Sequence, residues 1–309
     1  NFLNNLISLE ANYFVRNSKN QIIDVPISNV TGFSRYTTNA GLIVNKGVEV
    51  LLGFSPLKGK FRWDIDINWT RIRNTVVSMP ENLKEITFYD QGRSALRIVE
   101  GGSMGDMYGY DWRRNEKGEV LIGTNGLPTL DQSKYIKLGN ALPDWFGGLN
   151  NTFSYKGFDL NVNVYFSGGN YVYNGTRAGL LDQRVWNNSV EAMTRWQKAG
   201  DVTAIPRVVF GDNVSNGSSM PISDNLEKGD FIKFRNIALG YSLPKKMLES
   251  MGLTSFRFYL SAQNAFTITS YSGFDPEISS NGNANGSPSV DRNSAPMART
   301  FSFGLNLGL

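Results

Sequence analysis

Apolar and polar residues alternate along this chain with a period of two, in segment after segment. FRWDIDINWT places Phe61, Trp63, Ile65, Ile67 and Trp69 on one parity and Arg62, Asp64, Asp66, Asn68 and Thr70 on the other. Successive side chains of a strand point to opposite faces, so the segment is extended, with one apolar and one polar face. The pattern recurs in LISLEANYFVR (Ile7, Leu9, Ala11, Tyr13, Val15) and in GVEVLLGF (Val48, Val50, Leu52, Phe54). FDLNVNVYF, FRFYLSAQ and the terminal FSFGLNLGL follow it too, and 147–155 and 231–243 are weaker members. Eight strands are predicted in all.

The aromatic residues of FRWDIDINWT stand at the two ends of its apolar face and the aliphatic ones in the middle. From Phe61 to Trp69 the strand spans ~26 Å, or ~19 Å along a membrane normal if tilted ~45°. That approaches the ~25 Å apolar band, edged by aromatic girdles, of an outer-membrane barrel. The core of a soluble sheet also alternates in this way, so one strand does not decide.

The connections add a second pattern. Residues 17–41, 74–146, 167–229 and 267–297 are predicted as long loops, and SVEAMTRWQKAG within the third as a short helix closed by Gly200. Pro56 to Lys60, Tyr155 to Gly157 and 244–253 are short turns. Long and short alternate, as they do when every second connection faces the periplasm. The eighth strand then runs downward and ends at Leu309 on the periplasmic rim.

Composition narrows the class. The 309 residues are 40% hydrophobic, enough for a large core, yet no apolar run reaches transmembrane-helix length. Barrel strands are apolar on one face only and escape that test. With no Cys and no His there is no disulfide, no thiolate metal site and no imidazole base. Asp64 and Asp66 share a strand face, but no nucleophile or pKa-splitting neighbour accompanies them, so catalysis is not expected. The net charge of +4 is dispersed, which does not indicate a nucleic-acid partner. No cofactor is expected. The chain starts at NFLNNL, which implies a removed signal or an internal piece.

NAGLIVNKGVEV (39–50), MGDMYGYDW (104–112), LGNALPDWFGGLNNTFSYKGFDLNVNVYFSGG (138–169), GDFIKFRNIALGYSLPKKML (229–248) and FRFYLSAQNAFTITSYSGFDPE (256–277) fall in order through nearly the whole chain. Together they resemble the SusC/RagA-like TonB-dependent transporters of the Bacteroidetes outer membrane. The resemblance implies an all-β fold: the last eight strands of a large antiparallel transmembrane barrel of about 22 strands, with long extracellular loops. It also implies nutrient import without enzymatic activity, a SusD-like surface lipoprotein as lid, and energy from the TonB complex. The plug, the TonB box and an N-terminal extension do not lie in this sequence. The chain ends on Leu309 where the family usually ends on an aromatic residue, and an acidic D-x-D-G-type loop segment is thinned to RRNEKGEV (113–120).

On a barrel, Glu49, Arg62, Asp64, Asp66, Asn68, Asp159, Asn161, Asn163, Arg257 and Gln263 are expected to line the lumen, solvating it or bonding the plug. Tyr108, Tyr110 and Trp112 are candidate ligand contacts in a long loop, or packing that anchors it; FDPE (274–277) reads as a turn. Phe301, Phe303, Leu305, Leu307 and Leu309 are the expected signal to the barrel-assembly machinery. Lys233 and Arg235 share the parity of Ile237, Leu239 and Tyr241. Either they face outward onto lipopolysaccharide phosphates, or a bulge flips the phase and turns both inward. A soluble β-sandwich binding module and a small self-contained barrel are the rival architectures.

Overall fold

A computed structural model describes residues 2, 6–79, 83–90, 94–131, 135–182, 187–209, 221–280 and 288–309. Eight strands form one antiparallel sheet in the order of the chain: β1 Ile7–Pro26, β2 Arg35–Lys58, β3 Phe61–Ser78, β4 Trp145–Tyr155, β5 Phe158–Gly168, β6 Phe231–Ser242, β7 Ser255–Thr269 and β8 Thr300–Gly308. Each predicted strand is present, and each pairs with its neighbours in sequence. The edge strands β1 and β8 do not pair with one another, so the sheet is open.

The register decides the faces. Ala11 opposes Val50, Val50 opposes Trp69 and Trp69 opposes Gly147, whereas Asp66 lies between Gly53 and Asn150. Alternation and pairing therefore agree from strand to strand, and the sheet has one continuous apolar face. Nothing in the described chain covers it: Leu260 is 56% exposed, Phe303 64%, and Leu9, Phe158, Leu239 and Phe258 are exposed too. A soluble sandwich needs a second layer there. No helix among the described residues is long and apolar enough to cross a membrane, which says nothing of crossing by strands.

Buried apolar clusters lie largely at the long-connection end. Leu96, Met107, Ala141, Tyr173 and Val290 pack together from three different loops, and Val25, Val76, Ile86 and Ile98 join the ends of β1 and β3 to the first of them. The loops carry small elements of their own. Strands Glu85–Asp90, Ser94–Val99, Asp106–Gly109 and Ile136–Asn140 form a four-stranded sheet, and Leu226–Lys228, Tyr171–Asn174 and Val290–Asp291 a three-stranded one.

Two predicted connections differ. Residues 17–41 are mostly strand, because β1 and β2 continue as a ribbon whose tip is only 27–34. Ladder hydrogen bonds hold a ribbon solvated on both faces, and burial of Val25 anchors its far end. SVEAMTRWQKAG forms only a single 3-10 turn, Val190–Thr194. The Trp196 amide donates to the Ile205 carbonyl, 2.9 Å, instead of continuing a helix, and Ala192 packs on Leu181 and Ile205. Gly200 is left-handed, φ 96°, but closes no helix. Helix α1 is instead Gly175–Leu180, while the short connection after β6 holds α2, Lys245–Met251, ended by left-handed Gly252.

Candidate functional site

The polar face of the sheet carries every strand residue expected to line the lumen. Register places Glu49, Asp66, Asn68, Asn163 and Gln263 on that face with Arg62, Asp64, Asp159, Asn161 and Arg257. Side-chain bonds run along it, within strands and from strand to strand. The Arg257 guanidinium grips the Asp159 carboxylate at 2.6 and 3.1 Å, Arg62 Nε donates to Asp64 at 2.6 Å, and the Ser55 hydroxyl adds a 2.7 Å bond to Asp64. Asn161 donates to Asn150 and Thr152. Among the described residues Glu49, Asp66, Asn68, Asn163 and Gln263 make no side-chain hydrogen bond, leaving a row of polar groups open to a partner or to water.

Strand β6 settles the question of Lys233 and Arg235. A bulge between Phe234 and Asn236 leaves Lys233 paired with Tyr165 and Thr267 on the polar face, while Phe234 opposes Val164 and Phe266 on the apolar one. Lys233 is 2% exposed. Its ammonium donates to both oxygens of Asp275, 3.0 and 2.9 Å, and to Glu277, 2.8 Å. Arg235 also bonds Glu277, and its guanidinium lies 4.7 Å from the Tyr165 ring. Of the two placements the sequence left open, the inward one is found: the extra residue flips the phase, and two acids neutralise the bases. FDPE, read from sequence as a turn, supplies both acids. The signal was present in FIKFRNIALGY, where apolar parity moves from Ile232 and Phe234 to Ile237 and Leu239.

In the loops, Tyr108 stacks on Tyr135 at 6.0 Å, Tyr110 meets that ring edge-on at 5.0 Å, and Arg97 lies 5.2 Å over Tyr108. The aromatic set thereby ties strand Asp106–Gly109 to the segment before Ile136. Trp112 is 6% exposed and helps to line a cavity of about 240 Å³ with Arg114, Arg177, Ile205, Ile222 and Asp224. The charges of this cavity are paired: Arg114 bonds Asp111 and Asp224, and Arg177 bonds Glu191. Burial pushes the Asp111 carboxyl up, but the Ser223 hydroxyl at 2.5 Å, the Arg114 guanidinium and the Trp112 amide outweigh it and hold its pKa below the usual value. Deeper in, burial and then the Asp291 carboxylate, which accepts its proton at 2.8 Å, raise the Tyr271 phenol. Thr176 donates to the other Asp291 oxygen, joining two loops.

The terminal strand shows one uncovered face: Phe301, Phe303, Leu305, Leu307 and Leu309 are all exposed, and β8 pairs with β7 from Gln263 opposite Thr300 to Ser255 opposite Gly308. RRNEKGEV forms a small hairpin bridged at Arg114 and Val120. No group of three or more acidic residues placed to hold a metal occurs among the described residues.

No family model matches the chain. Curated relatives do. TonB-dependent receptor P3 of Formosa agariphila is 26% identical over 332 residues, covering 98% of this chain and 32% of the receptor. TonB-dependent receptor SusC of Bacteroides thetaiotaomicron is 27% identical, covering 99% of this chain and 30% of SusC. The chain spans about a third of the length of these relatives. Among solved structures, the RagAB peptide transporter superposes with a TM-score of 0.82 at 21% identity, over 99% of this chain and 33% of that one. An open antiparallel sheet, apolar on one face and polar on the other, that superposes over nearly its whole length on a third of that chain has the all-β fold of part of a TonB-dependent barrel. Within that class the chain is SusC/RagA-like, and the relatives it matches are TonB-dependent receptors and a peptide transporter.

Proposed function

We propose that this chain is the C-terminal portion of the barrel wall of a TonB-dependent importer in a bacterial outer membrane. The cargo class is a large nutrient, an oligosaccharide or a peptide. The observation that carries this reading is the uncovered apolar face opposed by a continuous polar one, with the buried apolar clusters gathered in and beneath the loops. A bilayer is the environment that suits such a sheet, and a water-filled or plugged lumen suits its other face. Glu49, Asp66, Asn68, Asn163 and Gln263 then meet the plug or passing solute, while the paired residues stiffen the wall.

The open edges of β1 and β8 favour a larger ring over a self-contained eight-stranded barrel, since an unpaired edge is untenable in lipid. The packed loops, with the Trp112 cavity among them, form an extracellular surface for cargo and for a SusD-like lipoprotein lid; TonB engages the protein through a plug that lies elsewhere. The exposed apolar face of Phe301, Phe303, Leu305, Leu307 and Leu309 suits recognition by the barrel-assembly machinery. The test is purification of the full-length protein in mild detergent with identification of what accompanies it. A lid-type surface lipoprotein and bound glycan or peptide are expected; gently solubilised, intact material that carries neither would overturn the importer reading.

A further inference from the structure

On the apolar face of the sheet, just beyond its aromatic edge, three cations stand together with no acid paired to them among the described residues. The row Tyr13, Val48, Arg71 and Trp145 crosses β1 to β4, and the next row toward the loops holds Val15, Lys46 and Arg73. Lys46 and Arg73 are direct cross-strand partners, and Arg71 is diagonal to Lys46. All three are exposed, and none makes a hydrogen bond or ion pair among the described residues. The acids of β1 to β3 at and below this level, Glu10, Glu49, Asp64 and Asp66, occupy the opposite face.

Like charges placed directly opposite one another destabilise a sheet, so an anion stabilises the Lys46 and Arg73 pair, and no described residue supplies one. Its depth says which. Arg73 lies four residues past Trp69, ~13 Å along the strand or ~9 Å along the normal at ~45° tilt. Tyr13 and Trp145, in the row between, are residues of a membrane interface. The cations therefore sit at headgroup level, on the side of the long loops, facing the bilayer.

We propose that Lys46, Arg71 and Arg73 form a binding site for the phosphate groups of an anionic lipid of the outer leaflet. The site rests on the membrane-barrel reading of the sheet. It is distinct from Lys233 and Arg235, whose charges are spent on Asp275 and Glu277 on the other face. Arg71 and Arg73 supply planar forks suited to phosphate oxygens, and Lys46 a point charge between them.

The full-length protein, placed in phosphatidylcholine nanodiscs doped with either diphosphoryl lipid A or its dephosphorylated form, tests the site by native mass spectrometry. Wild-type protein is expected to retain the diphosphoryl lipid, and the triple variant Lys46→Gln, Arg71→Gln, Arg73→Gln to lose about a hundredfold, a factor of about five for each cation near an anionic surface. The variant Lys60→Gln, Lys245→Gln, Lys246→Gln removes the same charge at the short-turn end and is expected to retain the lipid. Equal retention by wild type and the first variant, or equal loss by both variants, overturns the site. Displacement of the lipid by millimolar inorganic phosphate assigns it to a free anion and overturns the lipid. In plain detergent the first variant should melt no lower than wild type, because facing like charges are removed; a lower Tm assigns the cations to the fold instead. Failure of wild-type protein to enter undoped nanodiscs is a separate outcome that removes the membrane reading itself, and the site with it.

Discussion

Replacing Lys233 with Met should loosen the segment around FDPE while leaving the sheet intact. The ammonium makes three charged contacts of 2.8 to 3.0 Å, two to Asp275 and one to Glu277. Glu277 keeps Arg235, so the loss falls chiefly on Asp275, whose side chain is only 7% exposed. Removing one partner of a buried ion pair costs about 3–5 kcal/mol, because the other charge is stranded. The lower end applies here, since Asp275 still accepts the Glu277 amide at 3.1 Å. About 3 kcal/mol corresponds to a factor of about a hundred in a local opening equilibrium. Hydrogen exchange followed by mass spectrometry reads that equilibrium at the amides of Glu277 and Ile278, both bonded to Asp275. Exchange there should accelerate about a hundredfold by the same conversion, with no change at β4 and β5. The double variant Lys233→Met, Asp275→Asn removes both charges and should recover most of the protection. Unchanged exchange in the single variant, or a double variant as open as the single one, would refute the inward ion cluster as the anchor of this loop.

Three further outcomes are expected. With the other Trp residues replaced, Trp63, Trp69 and a variant Ile65→Trp should be quenched by brominated lipid in reconstituted protein, the last by bromines deepest in the acyl chains, and Asp66→Trp little; absence of quenching at the first three would place the apolar face against protein. Gly147→Ala should cost about 1–3 kcal/mol of barrel stability, read by thermal melting in detergent, because its Cβ would lie 2.2 Å from the Asn68 carbonyl oxygen, whereas Gly59→Ala meets nothing within 4 Å and should be neutral. The Asp111 pKa is depressed in the folded protein, so its contribution is complete above the ordinary carboxyl value of 3.8 and is lost as pH falls through the lower folded value; exchange around 221–225 should rise below pH 3.8, and Asp111→Asn should abolish that acid step.

Strand number, strand order and the division into two faces were legible in the sequence, because side chains alternate with period two and neighbouring strands in a meander are neighbours in the chain. Phe158 to Phe166 needed nothing further. The ribbon after Arg16 was not legible: NSKNQ has no apolar phase, and only pairing with β2 and burial of Val25 at its end make it a strand. Nor was the single turn at Val190, where long-range bonds to Ile205 compete with helix propensity. Lys233 and Arg235 show the limit most plainly. Their sequence allowed either face, and the choice came from one extra backbone residue and from two carboxylates more than forty positions away. Lys46, Arg71 and Arg73 make the converse case, ordinary exposed cations until register sets two of them side by side. Local periodicity specifies which way a side chain points along its own strand; only tertiary pairing specifies what it points at.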